Sequence, residues 1–496
     1  MLAMLGFPRA LLSVATSAAP NSGSVVEPRL DRRSTSEMVL DKPDHESHID
    51  LTEFLRKFWK KYPKSRFAMI VDFTIRNFRS FRDEQMLSMN VEGSRTRHAS
   101  NFSLVEDERF AILRSAGIFG ANASGKSNVL RAIAALQWIV MSSGGRKETQ
   151  PIPPYEPFRL SPEHSERPIT FEIEFVVPTG ARYRYEVSFS QYRIVKERLI
   201  SFARRSRATL FERLPNDTWE TIKFGGTFKG GARRFPFFDN AAYLSRAGND
   251  ASSPEFIREI YRYFESIRYI AAGNGPLSRG ALTDPTMLHA VSELLCLADT
   301  GVGKVTIEEN DAVDEIRMPD NIPEDLKEAI LAQNRMVAKF WMKSGSGESV
   351  PFEADDMSHG TNRLFDLLPV ILSALEHGSV LALDEIDAHL HTDLVNLVLQ
   401  LFHDDQVNTK GAQLLFSSHD TNVLDAAYMR RDQIWLASKD DGISSIRCLS
   451  EYDKKYVRQD SPFEAFYRDG RLGAIPRLPY NRVKEVLLSA LSDLRG

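Results

Sequence analysis

The sequence predicts an α/β fold built on a buried parallel sheet, with an inserted β-rich lobe and a helical region. Three observations predict it. A glycine-rich stretch, Gly120-Ala-Asn-Ala-Ser-Gly125-Lys126-Ser127, lies between a short apolar run and a helical pattern. Two further unbroken apolar runs end in chemistry: Val380–Leu383 in Asp384-Glu385, and Leu414–Phe416 in Ser417-Ser418-His419. Between them, ITFEIEFVV (169–177) and ARYRYEVSFS (181–190) alternate as antiparallel strands do. Unbroken apolar runs suit parallel strands buried on both faces, whose C-terminal ends hold ligands in doubly wound sheets.

The chain has 496 residues, 42% hydrophobic and 26% charged, which excludes a mainly disordered, collagenous or coiled-coil protein. Lys plus Arg (63) against Asp plus Glu (67) gives a net charge of −4, so the overall charge gives no reason to expect nucleic-acid binding. Two cysteines, Cys296 and Cys448, fit a reducing cytoplasm, and no apolar run is long enough to span a membrane. Residues 1–68 read as a disordered extension, polar over 21–47, with a short amphipathic helix over 49–60. Met69 is read as the true start, where the strand-like MIVDFTIRNF begins.

The glycine-rich stretch fits G-x-x-x-x-G-K-[ST], a phosphate-binding loop. AILRSAGIF (111–119) precedes it as a strand, and Val129, Ala132, Ile133, Leu136 and Val140 follow at helical spacing. Glycines such as Gly120 and Gly125 let backbone N–H groups wrap a phosphate, and the helix N-terminus adds partial positive charge. Asn122, Ser124 and Asn128 belong to the same cradle. Lys126 reaches the β- and γ-phosphates, and the Ser127 hydroxyl ligates Mg²⁺. At the end of the acidic strand, Asp384 holds Mg²⁺ and Glu385 orients or deprotonates the attacking water. His419 is placed to contact the γ-phosphate. Before the acidic strand, Ser358-His359-Gly360-Thr361 opens a helix whose Leu364, Leu368, Ile371, Leu372 and Leu375 share one face and which Gly378 stops. Pro369 is expected to kink or tighten this helix. Ser358 and Gly360 thus form a second anion site at a helix start.

In this order, the loop, the Ser-x-Gly helix, the Asp-Glu strand and the Ser-His strand resemble the ABC-type ATPase heads of the SMC, Rad50, RecF and OLD families. IVDFTIRNFRSF (70–81) looks like their first strand, and Asp384-Glu385-Ile386-Asp387-Ala388 like their Walker B segment. The resemblance implies ATP and Mg²⁺ as ligands. It also places Ser358 and Gly360 in a signature that contacts the γ-phosphate held by a second subunit. His359 and Thr361 depart from the usual signature, and His391 stands where an Asp is common. Gln150 is a candidate for the Q-loop. A more detailed resemblance covers 69–480 through NFRSF, NASGKSN, SHGTNRLFDLLP, DEIDAHLH, SSHDTNVLD, RRDQIW and GRLGAIP. These look like the stand-alone ATPases of bacterial anti-phage defence of the AbiL, RloA and PARIS-type AriA group.

The expected organisation is therefore 69–250 as the first part of the head with the phosphate loop and β-rich lobe, 251–350 as a mainly helical insert, and 351–496 as the second part. No sustained heptads occur between loop and signature, so no long coiled coil is expected. Residues 254–345 read as helical, including SPEFIREIYRYFESI and PEDLKEAILAQNRMVAKFW. Gly301–Lys304 reads as a turn. Arg193, Lys196, Arg198, Arg204, Arg205, Arg207 and Arg213 form a basic cluster, read as a solvated or protein-facing surface before a nucleic-acid one. The expected function is a cytoplasmic ATPase, working as a homodimer or higher oligomer, that controls a separate effector in anti-phage defence. The alternatives are a RecF-like DNA-repair ATPase and a nucleotide-locked scaffold with little turnover. No nuclease is expected in the chain itself.

Overall fold

The computed structural model describes residues 67–105, 110–203, 206–272, 282–298, 300–309, 336–473 and 479–494. The amphipathic stretch 49–60 lies outside the described residues.

The chain begins with β1 (Met69–Arg76), β2 (Gln85–Ser88), β3 (Phe102–Val105), β4 (Phe110–Leu113) and β5 (Ser115–Phe119), then helix α1 (Lys126–Ser142) and the turn α2 (Pro162–Ser165). The lobe follows as β6 (Ile169–Val176), β7 (Arg182–Phe189), β8 (Ile194–Ala203), β9 (Ser206–Arg213) and β10 (Lys223–Phe224). Next come α3 (Tyr243–Gly248), α4 (Glu255–Ser266), β11 (Arg268–Ile270), α5 (Pro285–Leu297), β12 (Val302–Glu309), β13 (Met336–Lys343) and β14 (Ser349–Phe352). The last part is α6 (His359–His377), β15 (Val380–Leu383), α7 (Thr392–His403), β16 (Gln413–Ser417), β17 (Ile434–Asp440), β18 (Ile443–Cys448), α8 (Phe463–Arg468) and α9 (Tyr480–Asp493).

Two large sheets organise these elements. The first is antiparallel, in the order β10-β9-β8-β7-β6-β1-β2. The second has the order β11-β15-β16-β5-β17-β18, parallel except for β18. Its central strands β5, β15 and β16 are buried on both faces, as their apolar runs require. Val380 and Ala382 of β15 face the core shared with α1 and the lobe, whereas Leu381 and Leu383 face the core shared with α6 and α7. Leu415 and Leu414 of β16 divide in the same way. Helix α1 thus lies between the two sheets, and α6 and α7 cover the far face.

The middle of the chain corrects one expectation. Glu255–Ser266 is helical, but Met336–Lys343 is β13, the central strand of a three-stranded antiparallel sheet with β12 and β14. Its Ala338 and Phe340 are buried while their neighbours are half-buried, which is a period of two. Its Val, Phe and Trp also favour a pleated surface over a helix. β11, from the same stretch, is an edge strand of the central sheet beside β15. Gly301 has φ 74° and turns the chain into β12, which starts at Val302. Helix α6 runs through Pro369 without interruption and stops at Gly378, with φ 67°.

The basic cluster is largely used within the lobe. Lys196 and Arg198 pair with Glu186 at 2.7 and 2.9 Å, and Arg193 pairs with Asp239 at 3.4 Å. Arg213 is buried, stacks 4.7 Å from the Phe237 ring centroid and donates to the Ala241 carbonyl at 2.8 Å. Arg207 is exposed, and Arg204 and Arg205 lie outside the described residues. Among the described residues, no helix is long and apolar enough to cross a membrane.

Candidate functional site

Strand β5 delivers the chain into the glycine-rich loop, and the loop into α1. Gly120 has φ 150°, and a Cβ there would lie 2.2 Å from the Ala437 carbonyl oxygen of β17. Gly125, at φ 112°, is the N-cap of α1, and a Cβ there would lie 2.6 Å from Ser444 Oγ. Both positions need glycine for conformation and for space. With no side chain capping α1, the N–H groups of its first turn are directed at the loop, an arrangement that favours an anion. Asn122 is exposed at the loop tip, and Ser127 is half-buried on the first turn. The buried Ser124 hydroxyl has no hydrogen-bond partner. Asn128 donates to Ser80 Oγ at 2.8 Å, tying α1 to the NFRSF segment.

Lys126 is buried and folds back on the loop. Its Nζ donates to the carbonyls of Gly120 (2.9 Å) and Ala121 (3.1 Å) and lies 3.4 Å from His419 Nδ1. Burial pushes its pKa down, opposed by the carboxylates of Glu385, Asp384 and Asp387. A cation held among three carboxylates by two replaceable carbonyl bonds is suited to turn to a phosphate.

The strand order explains how the acidic strand reaches this lysine. β16 lies between β5 and β15, so its C-terminal end touches both motifs. Ser417, its last residue, donates to Asp384 Oδ1 at 2.6 Å and accepts from the Glu385 N–H at 2.8 Å. Asp384 is buried, and its Oδ2 has no hydrogen-bond partner. A buried carboxylate oxygen without a donor is costly, and a divalent cation would satisfy it. The Asp384 carboxylate thus fits a divalent cation such as Mg²⁺. Glu385 takes φ 52°, which fixes its side-chain direction, and His419 Nε2 lies 3.7 Å from its Oε1. One imidazole therefore spans the phosphate lysine and the candidate base. Asp387 supports it, accepting from the His419 N–H at 3.2 Å and the Asp420 N–H at 3.1 Å.

Ser358 is the N-cap of α6 and accepts from the Thr361 N–H at 3.0 Å. Gly360 packs on the turn after the acidic strand, where a Cβ would lie 2.8 Å from the His389 carbonyl oxygen. The rings of His359 and His389 stack at 5.3 Å, and His391 caps α7 through the Asp393 N–H. In one chain, then, Lys126, Asp384, Glu385 and His419 converge, while Ser358 lies exposed at the start of α6, on the turn that follows Glu385. Gln150 is built into a local turn, accepting from the Lys147 N–H at 3.1 Å.

Sequence reasoning missed several residues. In the sequence Ser417 reads only as part of Ser-Ser-His, and Asp387 only as part of the acidic segment; their spacing to Asp384 and His419 is the available signal. Arg79 pairs with Glu156 and contributes to a cavity of about 380 Å³ with Ser80, Phe158 and Lys439, beside the loop. RRDQIW is structural: Gln433 donates to Ser115 Oγ at 2.7 Å, and Arg430 pairs with Asp432 and donates to the Arg97 carbonyl.

The strand order and the loop are those of a P-loop nucleotide-binding domain. Residues 115–425, more than half of the chain, match the family described as "AAA domain, putative AbiEii toxin, Type IV TA system", and the chain belongs to that family. No curated protein sequence matches it. Among solved structures it is similar to an SMC head bound to the C-winged helix domain of ScpA, at 16% identity over 76% of this chain and 97% of that one, TM-score 0.41. The SMC head domain from Thermotoga maritima shows 14% identity over 76% and 98%, TM-score 0.35. The recombination mediator protein RecF-ATPrS of the RecFOR pathway shows 14% over 78% and 100%, TM-score 0.32.

Proposed function

We propose that this chain binds ATP with Mg²⁺ and hydrolyses it, and that it does so as a dimer closed by nucleotide. The observation that carries the reading is the row Lys126–His419–Glu385, joined at 3.4 and 3.7 Å, beside the unpartnered Asp384 Oδ2. The loop N–H groups and Lys126 bind the phosphates. Ser127 and Asp384 would hold the metal, which when bound neutralises charge on the phosphate oxygens. Glu385 accepts the proton of the attacking water, and His419 holds the γ-phosphate end of the site to the base. Ser358 and Gly360 lie at an exposed helix start and serve the phosphate of a second copy. The two sites of such a dimer complete each other across a two-fold axis.

In the cell, we read the chain as a regulator that holds or releases a separate effector in anti-phage defence. Two things support this: the resemblance over 69–480, and a family description that names a toxin–antitoxin system. The test is phosphate release from ATP by the full chain, followed by light scattering of the Glu385→Gln variant with and without ATP. The variant is expected to bind ATP, fail to hydrolyse it and accumulate as the closed assembly. Normal hydrolysis by Glu385→Gln would remove Glu385 as the base. Co-purification of a neighbouring gene product would identify the effector.

A further inference from the structure

Helix α9 (Tyr480–Asp493) carries the pattern of a core helix without its burial. In α7, Val395, Val398, Leu399 and Phe402 recur at helical spacing and are buried. In α9, Tyr480, Val483, Val486, Leu487 and Leu491 recur in the same way. Leu494 extends the row, its N–H donating to the Ala490 carbonyl at 3.1 Å. These six side chains are 46–83% exposed, and every other residue from 479 to 491 is exposed too. At 3.6 residues per turn they fill one stripe about 140° wide, and no charged residue falls within it. Together they leave on the order of 700 Å² in water, more than a monomer usually shows in one patch and near the roughly 800 Å² each partner brings to a stable interface.

The spacing within the stripe identifies the partner. Tyr480, Val483, Leu487, Leu491 and Leu494 follow one another at intervals of 3, 4, 4 and 3 residues, the same in either direction about Leu487. A two-fold axis at Leu487 therefore sets the whole row against the same row of an antiparallel copy. Leu487 meets Leu487, Val483 meets Leu491, and Tyr480 meets Leu494. A surface that is its own complement is what a two-fold contact requires. A lipid surface fits less well, because Glu485 stands beside Arg482 and Lys484 and the helix has no Trp or Phe.

We propose that α9 is a self-association element, pairing antiparallel with α9 of a second copy of this chain whether or not nucleotide is bound. The inference does not rest on the ATPase reading; it adds a contact between copies outside the nucleotide sites. Copies so joined meet ATP already paired, and closure around nucleotide proceeds at a local rather than a bulk concentration.

The experiment is sedimentation velocity of the full chain without nucleotide, over a concentration series. The wild type is expected to pass from monomer to dimer with a Kd on the order of 10 µM. Leu487→Glu sets two carboxylates against each other at the axis and is expected to weaken the dimer at least about 30-fold. Its melting temperature well below that Kd should stay at the wild-type value, because the side chain is exposed in the single chain. Val483→Glu and Leu491→Lys should each weaken the dimer about 10-fold, and an equimolar mixture of the two should recover to within about 3-fold of wild type, since the antiparallel register opposes them. A chain monomeric at about 200 µM, twenty times the expected Kd, would overturn the inference. So would a dimer indifferent to Leu487→Glu, or a mixture no stronger than its parts. Pelleting of a monomeric wild type with phosphatidylserine–phosphatidylcholine vesicles, lost in Leu487→Glu, would overturn it in favour of a lipid surface. None of these outcomes touches the ATPase reading, which phosphate release decides.

Discussion

The β-rich lobe and the central sheet handle charge in opposite ways. In the lobe, Glu174 takes Arg182 and Arg184, and Glu186 takes Lys196 and Arg198. Glu197 is buried and fully used, accepting from Tyr185 Oη (2.9 Å) and from the Tyr243 and Leu244 N–H groups (2.6 and 2.9 Å). At the C-terminal ends of the parallel strands, Ser124 Oγ and Asp384 Oδ2 have no partner, and Lys126 rests on backbone carbonyls. The lobe pairs its carboxylates with its own cations, whereas at the strand ends the Lys126 ammonium rests on carbonyls and Asp384 Oδ2 has no donor.

The largest expected effect tests the strand ends. Lys126→Ala should lower ATP turnover about 1,000-fold and weaken nucleotide binding, with the melting temperature nearly unchanged, since the ammonium serves the ligand rather than the core. A phosphate-release assay and a melt on the same preparation check both halves. The lobe should respond in reverse. Glu197→Ala leaves Arg213 buried and three donors unpaired, and should destabilise by about 3 kcal/mol. Urea unfolding measures it; any folded fraction should retain turnover.

A smaller effect comes from a group beneath the site. His403 is buried, with Nε2 at 2.8 Å from Ser115 Oγ and 3.2 Å from the Gln433 amide nitrogen. Burial and the nearby Arg114 charge push its pKa down to about 3. Because the unfolded chain then binds the proton more readily, stability falls as pH drops below the ordinary histidine value, by about 1.4 kcal/mol per unit. Near pH 5 that amounts to about 2 kcal/mol, and His403→Asn should flatten this part of the curve in melts between pH 7.5 and 5. The smallest effect concerns the start of the folded chain. Phe67 packs on Gly411, and Ala68 is buried. A chain beginning at Met69 should keep its turnover and lose about 1 kcal/mol relative to one beginning at Phe67, seen as a small shift in melting temperature.

How much of this was legible in the sequence follows the same division. The loop, the Asp-Glu strand end and the Ser-His strand end could be read because phosphate and metal chemistry fixes residue types at fixed spacing. The lobe strands at 169–177 and 181–190 could be read because one period governs them. β13 could not, because a charged stretch just before it continues a helical pattern, and the pairing with β12 and β14 outweighs it. Gln433 was hidden for another reason. Its partners Ser115 and Asn101 lie on other segments, and no local pattern marks a polar side chain that meets its need across the fold.

Strand β1 carries an irregularity between Ile70 and Asp72 in its pairing with β6. There the Gln413 amide, at the start of β16, accepts from the Ile70 N–H (2.6 Å) and donates to the Ile70 carbonyl (3.0 Å) and the Leu113 carbonyl (2.8 Å). For anyone dividing the gene, this places a seam where no cut is safe. A fragment ending near residue 250 would keep all seven strands of the first sheet, yet leave a raw backbone step at Ile70 that a residue more than 300 positions away was made to close. The two halves are therefore better supplied together, as co-expressed pieces or as a circular permutant that retains Gln413, than expressed alone.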